Sequence, residues 1–312
     1  EARTERNSLA LDFNPLGVLL FTIPLTPILS AQDYLDLPRS PQTWLLKPLL
    51  PVGGSMLLYG DPKTGKSYAA IQLALALTGR GPRNWLGFQG AKVGKVVYVQ
   101  LDTPRSLWAE RLEELKAAGH PVASDLFYLA DRETLDTWPF DILKPDHFHL
   151  LANAIRSVDP IAVIIDTLKE SNSAKENDNT ELTNAVNKLI SAVQPAALVL
   201  VHHSKKPVPE VDQDVINDSR GGSALTGKMD AICRLTKKGL YYAGRAIEEG
   251  VVKIQREDDG FWSVYDDGLD QLVELLLNDP AYPSLRAKAK ALAERTGMKE
   301  EAARSLLRRR TG

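Results

Sequence analysis

Apolar runs and helical stretches alternate along the middle of the chain. Residues 55–59, with Met56-Leu57-Leu58-Tyr59, read as a buried strand, and the Ala- and Leu-rich residues 66–79 read as a helix. The run KVVYVQL at 95–101 predicts a second strand, followed by a helix over 104–118 with Pro104 in its first turn. A short strand at 126–129 and a helix at 147–158 come next. IAVII at 161–165 and ALVLV at 197–201 are apolar without alternation, as expected of central strands covered on both faces, and 177–193 reads as the helix between them. After Asp230 the pattern shortens. Strands at 231–236, 241–247, 251–255 and 261–265, separated by Gly239, Gly250 and Gly260, predict an antiparallel meander at the sheet edge. From residue 270 the chain reads as helix. The expected fold class is α/β: a mainly parallel sheet with helices on both faces, an antiparallel edge meander and a small C-terminal helical segment. The expected division is an arm over 1–43, a core over 44–268 and a basic tail over 269–312.

Composition narrows this picture only slightly. With 312 residues, 44% hydrophobic and 25% charged, the chain has ample material for one large core. The single cysteine, Cys233, rules out an intramolecular disulfide and sits in an apolar run, so a buried thiol in a reducing, cytoplasmic setting is expected. Net charge is only −2, so any nucleic-acid contact must come from local loops or the tail. Residues 13–32 carry no charge and follow Arg3 and Arg6, which raises a signal peptide or a membrane span. Pro15, Pro24 and Pro27 interrupt the stretch, so the expectation is an extended arm packing on this subunit or a neighbour, with no membrane role. The chain opens on Glu1 rather than Met, as expected of a processed product or a piece of something longer.

The strongest chemical signal lies between the first strand and the first helix of the core. Gly60-Asp61-Pro62-Lys63-Thr64-Gly65-Lys66-Ser67 satisfies every fixed position of a phosphate-binding loop, G-x-x-x-x-G-K-[ST], with Tyr68 directly after it. Such a loop curls so that several backbone N–H groups converge on one anion at the positive end of a helix. Lys66 is expected at the β- and γ-phosphates of ATP and Ser67 at Mg²⁺.

Three strand ends carry further candidates. Asp166 ends IAVIID, where the acid associated with Mg²⁺ belongs. Asp102 ends KVVYVQLD and is placed to orient or deprotonate a water, although capping of the next helix, with Thr103, is the better reading on residue type alone. His202 and His203 end ALVLV, where an imidazole can hydrogen-bond a γ-phosphate. No spaced Cys or His set suggests zinc.

The segments WLLKPLLPVGGSMLLYGDPKTGKS, VVYVQLDTP, VIIDTL, LVLVHHSKK and SRGGSALTGKMDAICRL follow one another as in RecA-fold ATPases. Over about residues 44–265 the chain resembles the RepA-type hexameric replicative helicases and their phage and plasmid relatives, with DnaB-type helicases more distant. The resemblance implies Lys66 and Ser67 as phosphate and metal ligands and Asp166 as the acid of the second nucleotide motif. It implies Asp102 in place of the family's catalytic Glu, one methylene shorter, and His203 as γ-phosphate sensor.

It also implies two channel loops, at 169–180 and 204–221, with Lys169, Lys175, Lys205 and Lys206 as contacts to a single DNA strand. Ordinary solvated charge is an equal reading for each lysine, and Glu210, Asp212, Asp214 and Asp218 interrupt the second loop. Relatives insert a basic finger into the neighbouring ATP site; Arg256 matches its arginine, with Lys253 nearby and Arg220 a weaker candidate. A local pair of Arg256 with Glu257 or Asp258 is the competing reading.

The tail from 284 to 312 holds nine Lys/Arg against three Glu, leaving six positive charges. LAERTGMKEEAARSLL resembles the start of a helix-turn-helix whose second helix carries Arg304, Arg308, Arg309 and Arg310. The reading as a whole is an ATP hydrolase, with ATP and Mg²⁺ as cofactors. It is expected to act on single-stranded DNA or a forked duplex as a homo-oligomer, a hexameric ring, in replication of phage, plasmid or mobile-element DNA. A recombination or loader ATPase that remodels DNA without unwinding, and a nucleotide-switched DNA-binding regulator, stay open beside it.

Overall fold

The computed structural model describes residues 28–38, 41–137, 139–174, 178–204, 225–265, 267–296 and 300–311. The chain divides into two units, Glu1–Gln42 and Thr43–Gly312. In the first, helix α1 (Ala31–Asp36) starts at Ser30, whose Oγ accepts from the Asp33 N–H at 3.1 Å.

The second unit is organised by a nine-stranded sheet among the described residues. Its strands are β3 (Ser55–Gly60), β6 (Val96–Gln100), β7 (Phe127–Asp131), β8 (Ala162–Asp166), β9 (Ala197–His203), β10 (Ala231–Leu235), β11 (Gly239–Gly244), β12 (Ile247–Arg256) and β13 (Trp262–Val264). In space they run β13-β12-β11-β10-β3-β9-β8-β6-β7. The six from β10 to β7 are parallel, and β10 to β13 form the antiparallel meander expected from the spacing of glycines. β3, β6, β8 and β9 are buried along almost their whole length, which is why their sequences show no alternation. One strand, β9, lies between β3 and β8, so the ends of β3 and β6 are three positions apart rather than adjacent.

Helices cover both faces. α2 (Lys66–Thr78) and α3 (Arg105–Ala117) lie over one, and α4 (Pro145–Val158) and α5 (Asn179–Val193) over the other, each with its own apolar cluster. α2 is buried nearly all round, which requires its Ala/Leu composition, and it stops at Gly79 in the left-handed region with φ 66°. Each fully buried Leu here, such as Leu57 or Leu58, contributes about 1.5–3 kcal/mol.

A second small sheet was not legible in the sequence. β1 (Trp44–Lys47), β2 (Leu50–Pro51), β4 (Asn84–Trp85) and β5 (Phe88–Gly90) are two to four residues long, too short to display a period. The buried Trp85 indole in this sheet donates to the Ala69 carbonyl of α2 at 2.8 Å.

C-terminal to the sheet, α6 (Asp267–Asn278), α7 (Leu285–Thr296) and α8 (Glu300–Thr311) share an apolar cluster of their own that includes Val273, Leu276, Leu292 and Leu307. Among the described residues no helix is long and apolar enough to cross a membrane. The uncharged stretch up to residue 27, the loop lysines Lys175, Lys205 and Lys206, and Arg220 lie outside the described residues.

Candidate nucleotide site

The C-terminal ends of the parallel strands open on one edge of the sheet, the place where open α/β sheets bind ligands. Four candidate groups meet there. Gly60 ends β3, His203 pairs with it in register at the end of β9, Asp166 ends β8, and Asp102 lies two residues beyond Gln100 at the end of β6.

The loop between β3 and α2 is fixed by its own backbone. Thr64 donates its hydroxyl to the Asp61 carbonyl at 2.8 Å, and its N–H to the same oxygen at 3.3 Å. Two glycines are needed for steric reasons. A Cβ on Gly60 would lie 2.3 Å from the Leu235 carbonyl oxygen of β10, and Gly65 has φ 86°. Pro62 and Lys63 are exposed at the tip, whereas Lys66 is 6% exposed. The Lys66 ammonium donates to the carbonyls of Gly60 at 3.0 Å and Asp61 at 2.7 Å, which holds it over the loop. The Ser204 N–H donates to Gly60 O at 3.1 Å and its hydroxyl to the Asp61 carboxylate, stapling the end of β9 to the loop.

Asp166 is 1% exposed and accepts a hydrogen bond from the Tyr98 hydroxyl at 2.7 Å and another from Ser67. Burial raises its pKa above the ordinary carboxylate value and nearby Asp102 adds to this, while Tyr98, Ser67 and Lys66 oppose it. The Tyr98 phenol is raised well above its usual value, first by burial and then by Asp166. Ser67 and Asp166 are hard oxygen donors in mutual contact, and a desolvated carboxylate gains most from a cation, so the pair fits Mg²⁺. Among the described residues no cluster of three or more His, Cys, Asp or Glu suits a metal.

Asp102 is exposed, and no side chain caps α3, whose N-cap is Pro104. The capping role that residue type favours is therefore not the one it has here. Asp102 is instead close enough to Asp166 to perturb it electrostatically. His202 is buried and His203 half-buried, their ring centroids 6.4 Å apart.

Arg256 lies against its own chain. Its guanidinium is 5.0 Å from the Tyr68 ring centroid, and its Nε donates to the Gly260 carbonyl at 3.3 Å. Arg111 of α3 approaches the same ring at 5.1 Å. On β12, Arg256 shares a face with Ile254, which is buried, and opposes Trp262 of β13; Lys253, three residues away, is on the other face and exposed. Strand alternation thus places the two basic residues on opposite sides of the sheet.

Lys169 is exposed in a single 3-10 turn (Lys169–Ser171) just beyond β8, and Arg308 is exposed on α8. Arg309 falls in the same helix. Cys233 is buried beside Met56, Sγ to Sδ 3.9 Å, and burial pushes its thiol up, away from nucleophilic use.

Several residues of the site were not singled out from sequence. Tyr98 and Gln100 were hidden in the strand VVYVQ, and Ser204 looked like the first residue of a loop. Trp262 had no local signal at all, because its partners are 190 or more residues away.

The AAA_25 family profile, described as an AAA domain, matches residues 23–208. No curated protein matches the chain. Among solved structures, one ATPase domain is similar in fold, with a TM-score of 0.50 and 14% identity over 68% of this chain and 85% of that one.

Proposed function

We propose that this chain, which belongs to the AAA_25 family of AAA domains, is an ATP hydrolase that works as an oligomeric ring on DNA, as a helicase or translocase. The observation that carries the hydrolase reading is the meeting of Lys66, Ser67, Asp166 and Asp102 at one sheet edge.

In this reading the loop N–H groups and Lys66 bind the β- and γ-phosphates and stabilise charge that grows on the transferred phosphoryl group. Ser67 and Asp166 would hold Mg²⁺, which when bound neutralises charge on the β- and γ-oxygens. Tyr98, by donating to Asp166, keeps that carboxylate turned toward Ser67. Asp102 orients the attacking water and accepts its proton. His203, in register with Gly60, is placed to sense the γ-phosphate and pass its loss to the segment after β9.

The DNA part of the reading rests on where chain segments leave the sheet. The segments after β8 and β9 emerge at the nucleotide edge, so a change there moves both. Lys169, Lys175, Lys205 and Lys206, with Arg308 and Arg309 of the basic tail, are the proposed contacts to a single strand.

The deciding experiment measures ATP hydrolysis with and without single-stranded DNA, strand displacement on a forked duplex, and sedimentation with an ATP analogue. Stimulated hydrolysis, displacement and a ring-sized species support the proposal. Stimulation without displacement supports the remodelling or loader ATPase, and duplex specificity with negligible turnover supports the switched regulator. A monomer whose hydrolysis ignores DNA sinks the motor reading.

A further inference from the structure

The last residue of β6, Gln100, is fully buried, and the two ends of its amide are in very different positions. Its Oε1 accepts from the backbone N–H of Asp102 at 2.7 Å and of Thr103 at 3.0 Å. Its Nε2 has no hydrogen-bond partner among the described residues. The amide orientation is settled by the first fact, because a flipped amide would set NH₂ against two N–H donors. In register, Gln100 stands between Asp131 of β7 and Asp166 of β8, all three on the sheet face that α2 and α3 cover.

Buried amide donors without partners are rare, and native sites that keep one generally use it. An apolar residue of similar size would fill this position without that cost. Yet the chain places a hydrogen-bonding group where it forces β6 to turn. The next-but-one N–H and the one after it bend back onto the strand's own side chain, so the chain leaves the ladder at Asp102, at the nucleotide edge. On the other side, Arg105 at the start of α3 holds Asp131 with two bonds of 2.7 Å, which fixes the far end of the same turn.

We propose that Gln100 is a positioning residue for hydrolysis: through Oε1 it sets the Asp102 carboxylate, and its Nε2 is the donor reserved for a water held beside Asp166. The inference rests on the ATPase reading and on Asp102 as the group that orients water. It is recognition of geometry rather than of nucleotide, so its loss slows the reaction and spares binding.

The test is a double-mutant cycle on the full chain, reading single-turnover ATP hydrolysis and the affinity for a fluorescent ATP analogue in wild type, Gln100→Leu, Asp102→Ala and the double variant. Gln100→Leu is expected to slow hydrolysis about 100-fold, the cost of misplacing a reacting group by about 1 Å, with affinity within about twofold. The double variant is expected to be no slower than Asp102→Ala alone, since Gln100 acts through Asp102. Gln100→Asn, which keeps the amide one methylene short, repeats the cycle if the Leu variant does not fold. Additive losses, or a Gln100 variant hydrolysing within about threefold of wild type, overturn the inference. A wild-type chain that binds ATP and never hydrolyses it overturns the ATPase reading itself.

Discussion

The Trp262 indole donates its Nε1–H to the Gly65 carbonyl at 3.4 Å, so the last strand of the edge meander braces the phosphate loop. Gln72 of α2 locks the Trp262 backbone in place, accepting from its N–H at 3.1 Å and donating to its carbonyl at 2.7 Å. Because a Cβ on Gly65 would lie 3.2 Å from that indole nitrogen, and φ there is 86°, Gly65→Ala has two sources of strain. The backbone part alone costs about 1–2 kcal/mol. Gly65→Ala is expected to remain folded and lose ATP binding. Trp262→Ala is expected to lose about 3–5 kcal/mol of stability and to weaken nucleotide binding as well. Chemical denaturation and titration with a fluorescent ATP analogue read both; a Gly65→Ala protein with wild-type affinity would mean that the brace does not shape the loop.

Tyr98 and Asp166 give a second prediction. Tyr98→Phe removes the hydroxyl and leaves a buried carboxylate with one hydrogen-bond donor fewer. A hydrogen bond to a charged group contributes about 1.5–3 kcal/mol, so the variant should unfold at correspondingly lower denaturant concentration. Its hydrolysis should also need more Mg²⁺, since Asp166 is no longer turned toward Ser67. A variant with unchanged stability and unchanged Mg²⁺ dependence refutes the role given to Tyr98.

The pattern of apolar runs was enough to read the sheet core and its helices, because strands buried on both faces cannot alternate and helices of 13 to 15 residues show their period. The loop from Gly60 to Ser67 was equally plain, since backbone curvature leaves few alternatives to glycine. What stayed hidden depends on contacts between distant residues. Trp262 reaches Gly65 across 197 positions, and Arg105 reaches Asp131 only because β6 and β7 are neighbours. Gln100 looked like one polar residue ending a strand; its meaning appears only when the N–H groups of Asp102 and Thr103 fold back onto it. The place of Arg256 against Tyr68 was within reach, since strand alternation separates it from Lys253.

Acid stability offers a check on the anchor of the Asp102 turn. The Arg105 guanidinium, followed by the Thr134 N–H and against the effect of burial, holds the Asp131 carboxyl at about 2, below its ordinary value of 3.8. A carboxyl depressed in the folded state stabilises the fold above the unfolded value and loses that contribution as pH falls through the folded one. Wild type should therefore lose stability between about pH 4 and pH 2. Asp131→Asn keeps the acceptor for the N–H groups of Glu133 and Thr134 and removes only the charge. The variant should be less stable at pH 7 and the gap to wild type should close toward pH 2. A gap that stays constant with pH would show that the ion pair contributes nothing to folding.

The two basic residues of β12 make separable predictions about which subunit each serves. Arg256 lies over Tyr68 of its own chain, on the inner face with Trp262, whereas Lys253 is exposed on the outer face. Arg256 is therefore expected to support the site of its own subunit, and Lys253 is the group offered to a neighbour in a ring. Each substitution, Arg256→Ala or Lys253→Ala, is mixed with Lys66→Ala, and ATP hydrolysis is compared before and after subunit exchange. If a residue acts across the interface, exchange builds some sites that combine an intact Lys66 with an intact basic partner, and activity returns. If it acts within the chain, every subunit still lacks one part and mixing restores nothing. The expected result is recovery for Lys253→Ala and none for Arg256→Ala. Recovery with Arg256→Ala would mean that its guanidinium leaves Tyr68 on assembly and reaches the adjoining nucleotide, as the finger resemblance first suggested.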